Sequence, residues 1–355
     1  MLVSSLLASL SQLINGWASR STYGFFAALA LSILVNLLME PVELVHRYAP
    51  ISSRLPDEAY VGRRAADFVG NPPTVLILGG SSMRESVPTA VEFGSSLAGQ
   101  CSYSPSMFNA ATSSQHPADG WAVIDAIGRT PRLILVGLTY RRMIFDRSND
   151  PDDISAQRVE LPRSPTATRI AAANADIRSG LFDSVAQIGR MRFSLGEIRR
   201  MRGLQNPNNF TNLSTFDDRD AFSSPPISGA LKRFTGDKWL ATYGWTGAER
   251  FKPLVVYWRD FAERLQRRGA RVIFVVTPEG PEMHPMRRTL ETEFMRALTE
   301  LRTTAPVADL RDSMNDPAQF HDPIHLTNQG RDTLWPRLSS LITKELGCKV
   351  PVARI

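Results

Sequence analysis

The chain has 355 residues, of which 43% are hydrophobic and 21% charged, so most of it should fold into one large domain or two smaller ones. Its net charge of +6 suits a nucleic acid, an anionic lipid or an anionic polymer as partner. The basic residues are scattered, and their densest group, within 190–202, is not interleaved with aromatic residues. We therefore expect no nucleic-acid partner.

The two cysteines, Cys101 and Cys348, lie far apart in the sequence and form no Cys-x-x-Cys motif. Metal binding through thiolates is therefore not expected, and we predict no other cofactor. In an oxidising compartment the two cysteines can pair. Two free, buried thiols are an alternative that the sequence leaves open.

The N-terminus is unusually apolar. Residues 2–17 place apolar side chains at helical spacing opposite serines, which predicts an amphipathic segment (1–20) for a membrane interface or another protein's helices. Residues 21–39 carry no charge, and at about 1.5 Å per residue a helix of this length approaches the thickness of the hydrocarbon core. We predict a transmembrane anchor at 21–40. A core helix or a cleaved signal peptide is disfavoured, because neither a polar face nor a small-residue cleavage site is present.

The rest of the chain is predicted to form a linker (41–73) with a short helix within about 46–73, one α/β domain (74–346) and a short tail (347–355). In the domain, apolar runs alternate with helical patterns, which indicates a parallel sheet covered by helices on both faces. The predicted strands are 74–79, 106–111, 132–138, 271–277 and 305–309. The predicted helices are 83–98, 117–129, 248–269, 285–303 and 326–346.

Residues 141–247 interrupt this alternation. They are rich in Arg, Asp, Asn and Pro, with helical patterns near 165–181 and 184–202. We predict a largely helical insertion on the carboxyl side of the sheet, where the active-site crevices of open α/β folds lie. The insertion is either a lid over such a site or a surface excursion, and the sequence favours neither.

A serine follows the first predicted strand. The run 75–78 leads into Gly79-Gly80-Ser81-Ser82, in which the two glycines allow the backbone to turn sharply. If a helix begins at Ser81, its backbone N–H points toward the group that its hydroxyl attacks, and the helix N-terminus favours developing negative charge. The alternative is structural: Ser81 or Ser82 caps the helix, and Glu85 completes a capping box with Ser82.

Among the five histidines, His325 alone combines a carboxylate three residues earlier with a helix start just after it. At that spacing Asp322 can accept a hydrogen bond from imidazole Nδ1, which leaves Nε2 to accept a proton from a serine. The alternative is a surface loop in which Asp322 and His325 only cap the final helix.

Together these motifs resemble the SGNH/GDSL hydrolase superfamily, which carries a serine after the first strand of a flavodoxin-like three-layer sandwich and an Asp-x-x-His near its end. The resemblance covers about 74–140 and 248–346. It implies that Ser81 is the nucleophile, His325 the base and Asp322 the acid that orients it. Gly80 stands where the family usually has aspartate.

The two middle motifs of the superfamily are degraded in this chain. The resemblance implies oxyanion donors at the backbone N–H of Ser81 and at that of Ser113 or Ser114, of which we choose Ser114. It implies a third donor at Thr139, where the family has an asparagine side chain. Threonine reaches less far, and loss of one such donor costs on the order of 100- to 1000-fold in rate. We therefore expect slow acyl transfer, or another donor from Arg84 or from the insertion.

The predicted anchor and domain are similar in order to a membrane-anchored subgroup of the superfamily. Its members work beside a multispanning membrane-bound O-acyltransferase in polysaccharide O-acetylation or teichoic-acid D-alanylation. The similarity implies a glycan substrate and an extracytoplasmic domain at the bacterial inner membrane. The arginines that flank the anchor favour the cytoplasm instead, and we follow the architecture. These arginines are Arg20 before it and Arg47, Arg54, Arg63 and Arg64 after it.

The leading prediction is a membrane-anchored serine esterase or O-acyltransferase that acts on O-acyl groups, in particular O-acetyl groups, of a cell-envelope or secreted polysaccharide through an acyl-serine. A first alternative is a catalytically weak binding partner of the O-acyltransferase, which fits the degraded motifs. A second is a membrane-associated lipase or thioesterase, which is disfavoured because the insertion lacks a long apolar face.

Overall fold

A single parallel sheet organises the part of the chain that the computed structural model describes, which is residues 57–113, 115–145, 161, 164–174, 226–243 and 248–348. Its five strands have the order β2-β1-β3-β4-β5. They are β1 (Val75–Leu78), β2 (Met107–Asn109), β3 (Leu133–Leu138), β4 (Arg271–Val276) and β5 (Val307–Asp309). Each strand lies within one of the predicted runs, so the predicted α/β class with a parallel sheet is confirmed.

The strand order determines where a site can form. β1 pairs in parallel with β2 on one side and with β3 on the other, and β4 and β5 extend the sheet beyond β3. This is the flavodoxin-like order, in which the direction of winding changes between β1 and β3. Folds with this order bind ligands at the carboxyl ends of these two strands, which in this protein are followed by Gly79 and Thr139.

Helices cover both faces of the sheet. They are α1 (Asp57–Asp67), α2 (Ser81–Glu85), α3 (Ala90–Leu97), α4 (Pro117–Ile127), α5 (Tyr140–Met143), α6 (Pro165–Asn174), α7 (Gly229–Tyr243), α8 (Lys252–Arg267), α9 (His284–Arg302) and α10 (Asn328–Leu346). Alternate strand residues point to opposite sides, so Leu76 and Leu78 join one core and Val75 and Ile77 the other. The first core is packed by α1, α4, α8 and α9, and the second by α3 and α10.

The predicted helix 83–98 is wrong in its extent, because two helices, α2 and α3, occupy that range. Pro88 lies between them, and a proline disfavours helical geometry at the residue before it. α3 then begins again with its own capping box, formed by Thr89 and Glu92. The short α2 keeps Ser81 next to the sheet and ends before Ser86.

Two further segments are ordered by tertiary contacts. α1 is the short helix expected within 46–73 of the linker, and its Val61 and Ala65 are fully buried in the first core. α7 belongs to the predicted insertion but was not recognised as a helix. The ammonium of Lys232 in α7 donates to the carbonyl oxygens of Pro317 and Phe320, each at 2.7 Å. These bonds join α7 to the loop that leads to His325.

Several predicted segments lie outside the described residues. They are the amphipathic segment 1–20, the anchor 21–40 and the helical pattern at 184–202. Within the described ranges, no helix combines the length and the apolar character that crossing a bilayer requires.

The two cysteines are bonded to each other. Cys101 follows α3 and Cys348 follows α10, so the disulfide joins two segments beside the second core. The sequence left open whether the two cysteines pair or remain free thiols, and in the structure they form a disulfide. The bond connects residues 247 positions apart in the chain.

Candidate active site

The loop after β1 presents Ser81 at the carboxyl edge of the sheet. Gly79 has a φ of +145°, and a Cβ at this position would lie 2.9 Å from Met83 Cβ and 3.1 Å from Gly137 Cα. Both the backbone conformation and the space therefore require glycine. α2 begins at Ser81, and its N-cap is Gly80, without any side-chain cap. The capping box proposed for Ser82 and Glu85 does not form, so the structural alternative for this motif is wrong.

The structure brings Ser81 and His325 together although 244 residues separate them. Ser81 Oγ lies 2.7 Å from His325 Nε2, and His325 Nδ1 lies 2.6 Å from Asp322 Oδ2. A carboxylate can only accept, so Nδ1 carries the proton that it donates to Asp322. Nε2 is then an acceptor for the Ser81 hydroxyl, which is the arrangement that a serine nucleophile requires.

Backbone contacts hold the Asp322 carboxylate in place. Its Oδ1 accepts hydrogen bonds from the backbone N–H groups of Ile324 and His325, both at 2.9 Å. The loop is tied to the sheet by Gly280 N–H, which donates to the carbonyl of Pro323 at 2.8 Å. The final helix is capped by Thr327 and not by Asp322 or His325. The carboxylate is thus free to orient the imidazole.

The electrostatics of the pair favour the ionised aspartate. Burial alone raises the pKa of Asp322, but the hydrogen bond and charge of His325 and the two backbone N–H groups outweigh it, so the pKa falls below its usual value. Burial alone lowers the pKa of His325, but the hydrogen bond to Asp322 and the charge of Glu85 raise it above its usual value. Both side chains stay about one-fifth exposed, so the site is open to a ligand.

Glu85 is a feature of the site that the sequence did not reveal. It lies four residues after Ser81, is 1% exposed, and its Oε1 accepts from Arg84 Nη2 at 3.2 Å. Its Oε2 is buried without a hydrogen-bond partner among the described residues. Burial raises the pKa of Glu85 to about 7, against the opposing charges of His325 and Arg84. The available signal is the spacing of one helical turn between Ser81 and Glu85; the sequence analysis gave Glu85 a role only in the alternative capping box with Ser82, which does not form.

Of the predicted oxyanion donors, the structure describes Ser81 and Thr139 but not Ser114. The backbone N–H of Ser81 is at the start of α2, as expected, whereas Ser114 lies outside the described residues. The hydroxyl of Thr139 caps α5 by accepting from the N–H of Arg142 at 3.3 Å. Arg84, the alternative donor, contacts Glu85. None of these contacts tests the predicted roles, which stay predictions.

The loop after β2 is bound directly to the turn that carries Ser81. Gly79 N–H donates to Gln115 Oε1 at 2.8 Å, and Thr112 N–H donates to the carbonyl of Gly79 at 3.0 Å. Gln115 Nε2 in turn donates to the carbonyl of Ala110 at 2.7 Å. Residues on both sides of the predicted second donor are therefore anchored beside the candidate nucleophile.

In the described part of the chain, no group of three or more His, Cys, Asp or Glu side chains could hold a metal ion.

Comparisons with known proteins add little to this geometry. No family model matches the chain, and no curated protein matches it. A solved structure from Bacteroides fragilis, named "putative acylhydrolase", is similar over 81% of this chain and 93% of its own, at 12% identity and a TM-score of 0.36. A likeness this weak carries no weight for fold or function. The class of the protein, a parallel α/β fold with a Ser-His-Asp hydrogen-bond chain at its switch point, rests on the strand order and the site.

Proposed function

We propose that the protein is a serine esterase or O-acyltransferase that works through an acyl-serine at Ser81. The observation that carries the proposal is the continuous hydrogen-bond chain from Ser81 through His325 to Asp322. Convergence of a serine, a neutral imidazole and an oriented carboxylate at a partly exposed edge is the arrangement used for acyl transfer.

The reaction follows from the proton positions. Ser81 Oγ attacks the ester carbonyl while its proton passes to His325 Nε2, and the carbonyl oxygen takes the negative charge. Collapse of this intermediate breaks the ester bond, and His325 gives the proton to the leaving alcohol. Water or a sugar hydroxyl then attacks the acyl-serine by the same route in reverse. Asp322 stays ionised throughout and stabilises the imidazolium.

The substrate class and location in this proposal come from the resemblance and the composition. We infer an O-acyl group, in particular O-acetyl, on a cell-envelope or secreted polysaccharide, with a membrane-bound O-acyltransferase as partner. The uncharged run at 21–39 supports an anchor in the bilayer. The Cys101–Cys348 disulfide supports an extracytoplasmic domain, because such bonds persist mainly in oxidising compartments.

The catalytic part of the proposal is tested with the full-length chain, a fluorophosphonate probe and p-nitrophenyl acetate. We expect covalent labelling and ester turnover in the wild type and in Ser82→Ala, and neither in Ser81→Ala. Asp322→Asn should retain the fold but lose most of its turnover, because the imidazole loses the group that fixes its tautomer. Absence of labelling in the wild type would leave the binding-partner alternative.

Transfer and hydrolysis are separated by the acceptor. The wild type is acylated with the p-nitrophenyl ester and then offered water alone or water with an oligosaccharide, and the acylated sugar is measured by mass spectrometry. Sugar acylation that is lost in Ser81→Ala supports the transferase. Release of free acid at an unchanged rate, with no acylated sugar, supports an esterase.

A further inference from the structure

Arg142 in α5 lies against the turn that carries the candidate nucleophile. A Cβ on Gly80 would be 3.8 Å from Arg142 Cδ and 4.0 Å from its Nη1. The same Nη1 donates to the carbonyl of Gln115 at 3.0 Å. Gly80 is bonded to Ser81, and Gln115 directly follows Ser114 in the chain. Ser81 and Ser114 are the two predicted backbone donors to the oxyanion. The guanidinium therefore lies beside a neighbour of each of them in the chain.

The surroundings of Arg142 hold its side chain but do not neutralise it. The guanidinium lies over the Trp258 ring, 5.4 Å from its centroid. Within the described residues no carboxylate forms an ion pair with it, and its Nε is buried without a hydrogen-bond partner. Burial lowers the pKa of Arg142 to about 10, opposed by the more distant charge of Asp119, so the group is still a cation near neutral pH. Its contacts with Gln115 and Trp258 leave the charge of this half-buried guanidinium uncompensated by a carboxylate, and an anion at this point would compensate it.

The backbone of Arg142 is positioned by the residue that replaces the family's asparagine. Thr139 uses its hydroxyl to accept from the N–H of Arg142 and so begins α5. The cap fixes the position of the Thr139 hydroxyl at the start of α5, and the threonine side chain reaches less far than the asparagine that it replaces. Its contact instead directs α5 so that the longer side chain three residues later returns toward Gly80.

We propose that Arg142 donates to the oxyanion that forms when Ser81 attacks the acyl carbonyl, and so takes the place of the missing asparagine; this inference rests on the proposed function. A charged donor forms a hydrogen bond roughly twice as strong as a neutral one. The guanidinium gains and loses no proton in the step. It receives the charge that develops as the Ser81 Oγ–carbon bond forms, and it is released from that charge when the carbonyl is restored.

The test compares Arg142→Gln, Arg142→Lys and Arg142→Ala with Arg141→Gln, the exposed neighbour on the same helix. With p-nitrophenyl acetate we expect Arg142→Gln to lose on the order of 100- to 1000-fold in kcat, with KM nearly unchanged, since one oxyanion donor is removed. The kcat of Arg142→Lys should lie between those of the wild type and of Arg142→Gln. Added guanidinium or methylguanidinium should restore part of the kcat of Arg142→Ala and leave Ser81→Ala inactive. Thermal unfolding of each variant shows that the fold is kept.

The outcomes distinguish this inference from the proposed function. A wild type that is neither labelled nor active refutes both. If the wild type is active and Arg142→Gln matches Arg141→Gln, only the role of Arg142 is refuted. A rise in KM with unchanged kcat points to a contact with the substrate's ground state and also overturns it. So does a loss of kcat that guanidinium does not rescue and that accompanies a lower unfolding temperature.

Discussion

Replacing Glu85 by glutamine removes a buried carboxyl group one helical turn after Ser81 without changing its size. The side chain is 1% exposed, and its charge interacts with that of His325. The two side chains differ in charge above neutral pH, because glutamine stays neutral at every pH whereas Glu85 ionises inside the protein. The substitution should therefore alter both stability and the titration of His325, and each effect has a definite sign.

The effect on stability follows from the pKa of Glu85, which burial raises from 4.5 to about 7. A folded-state pKa above the unfolded value means that the folded protein holds this proton more tightly. Stability is therefore lost as the pH rises from 4.5 through about 7. At about 1.4 kcal/mol per pH unit, the ionised carboxylate costs on the order of 3 kcal/mol above that window. Glu85→Gln should be more stable than the wild type by up to this amount at pH 9, and similar to it near pH 4.

The effect on activity is a shift in the acid limb of the pH profile. The ionised Glu85 raises the pKa of His325, and His325 must be neutral to accept the serine proton. Without this charge, and with Arg84 no longer paired to it, the pKa of His325 falls. We expect the acid limb of kcat/KM to move to lower pH in Glu85→Gln.

Urea unfolding at pH 4, 7 and 9 and the pH dependence of kcat/KM with p-nitrophenyl acetate measure the two effects in the full-length chain. Asp237→Asn on the exposed side of α7 is the control, since it removes one carboxylate far less buried than Glu85. An acid limb that stays in place, or a variant no more stable than the wild type at pH 9, would refute the reasoning.

Two further predictions concern stability. Both carboxylate oxygens of Glu279 are buried without hydrogen-bond partners in the described ranges, and burial raises its pKa to about 8. Glu279→Gln should therefore raise the free energy of unfolding by up to about 5 kcal/mol at pH 9, seen as a higher urea midpoint, and leave it nearly unchanged at pH 4. Replacing Cys101 and Cys348 by serine should lower stability by about 3–5 kcal/mol, because the bond closes a long loop. Reductant should then lower the midpoint of the wild type but not of the double variant.

The controls for these two predictions are internal. A Glu279→Gln variant that is destabilised equally at pH 4 and pH 9 would show that the carboxyl group has a polar partner after all. A double cysteine variant as stable as the oxidised wild type would mean that the disulfide does not form in the purified protein, which would also remove its support for an extracytoplasmic location.

The central strands β1, β3 and β4 were predictable because they are buried on both faces over almost their whole length. The run 133–138 contains no polar side chain, and this pattern can be recognised from the segment alone. Helix ends were less predictable, as the break at Pro88 shows. α7 was missed because its stability comes from contacts such as those of Lys232 with distant carbonyl groups, which leave no periodic pattern in the segment itself.

The candidate site, too, has a part that local sequence patterns predict and a part that depends on tertiary packing. Glycines that allow a sharp turn and an Asp-x-x-His spacing are local properties, so the sequence by itself determined which serine and which histidine to pair. Only the tertiary structure decided which groups surround them. Glu85 and Arg142 act on the site through burial and proximity, and both depend on packing between segments far apart in the chain. Pairing of Cys101 with Cys348 was undecided for the same reason, because a bond between residues 247 apart depends on how α3 and α10 pack beside one another.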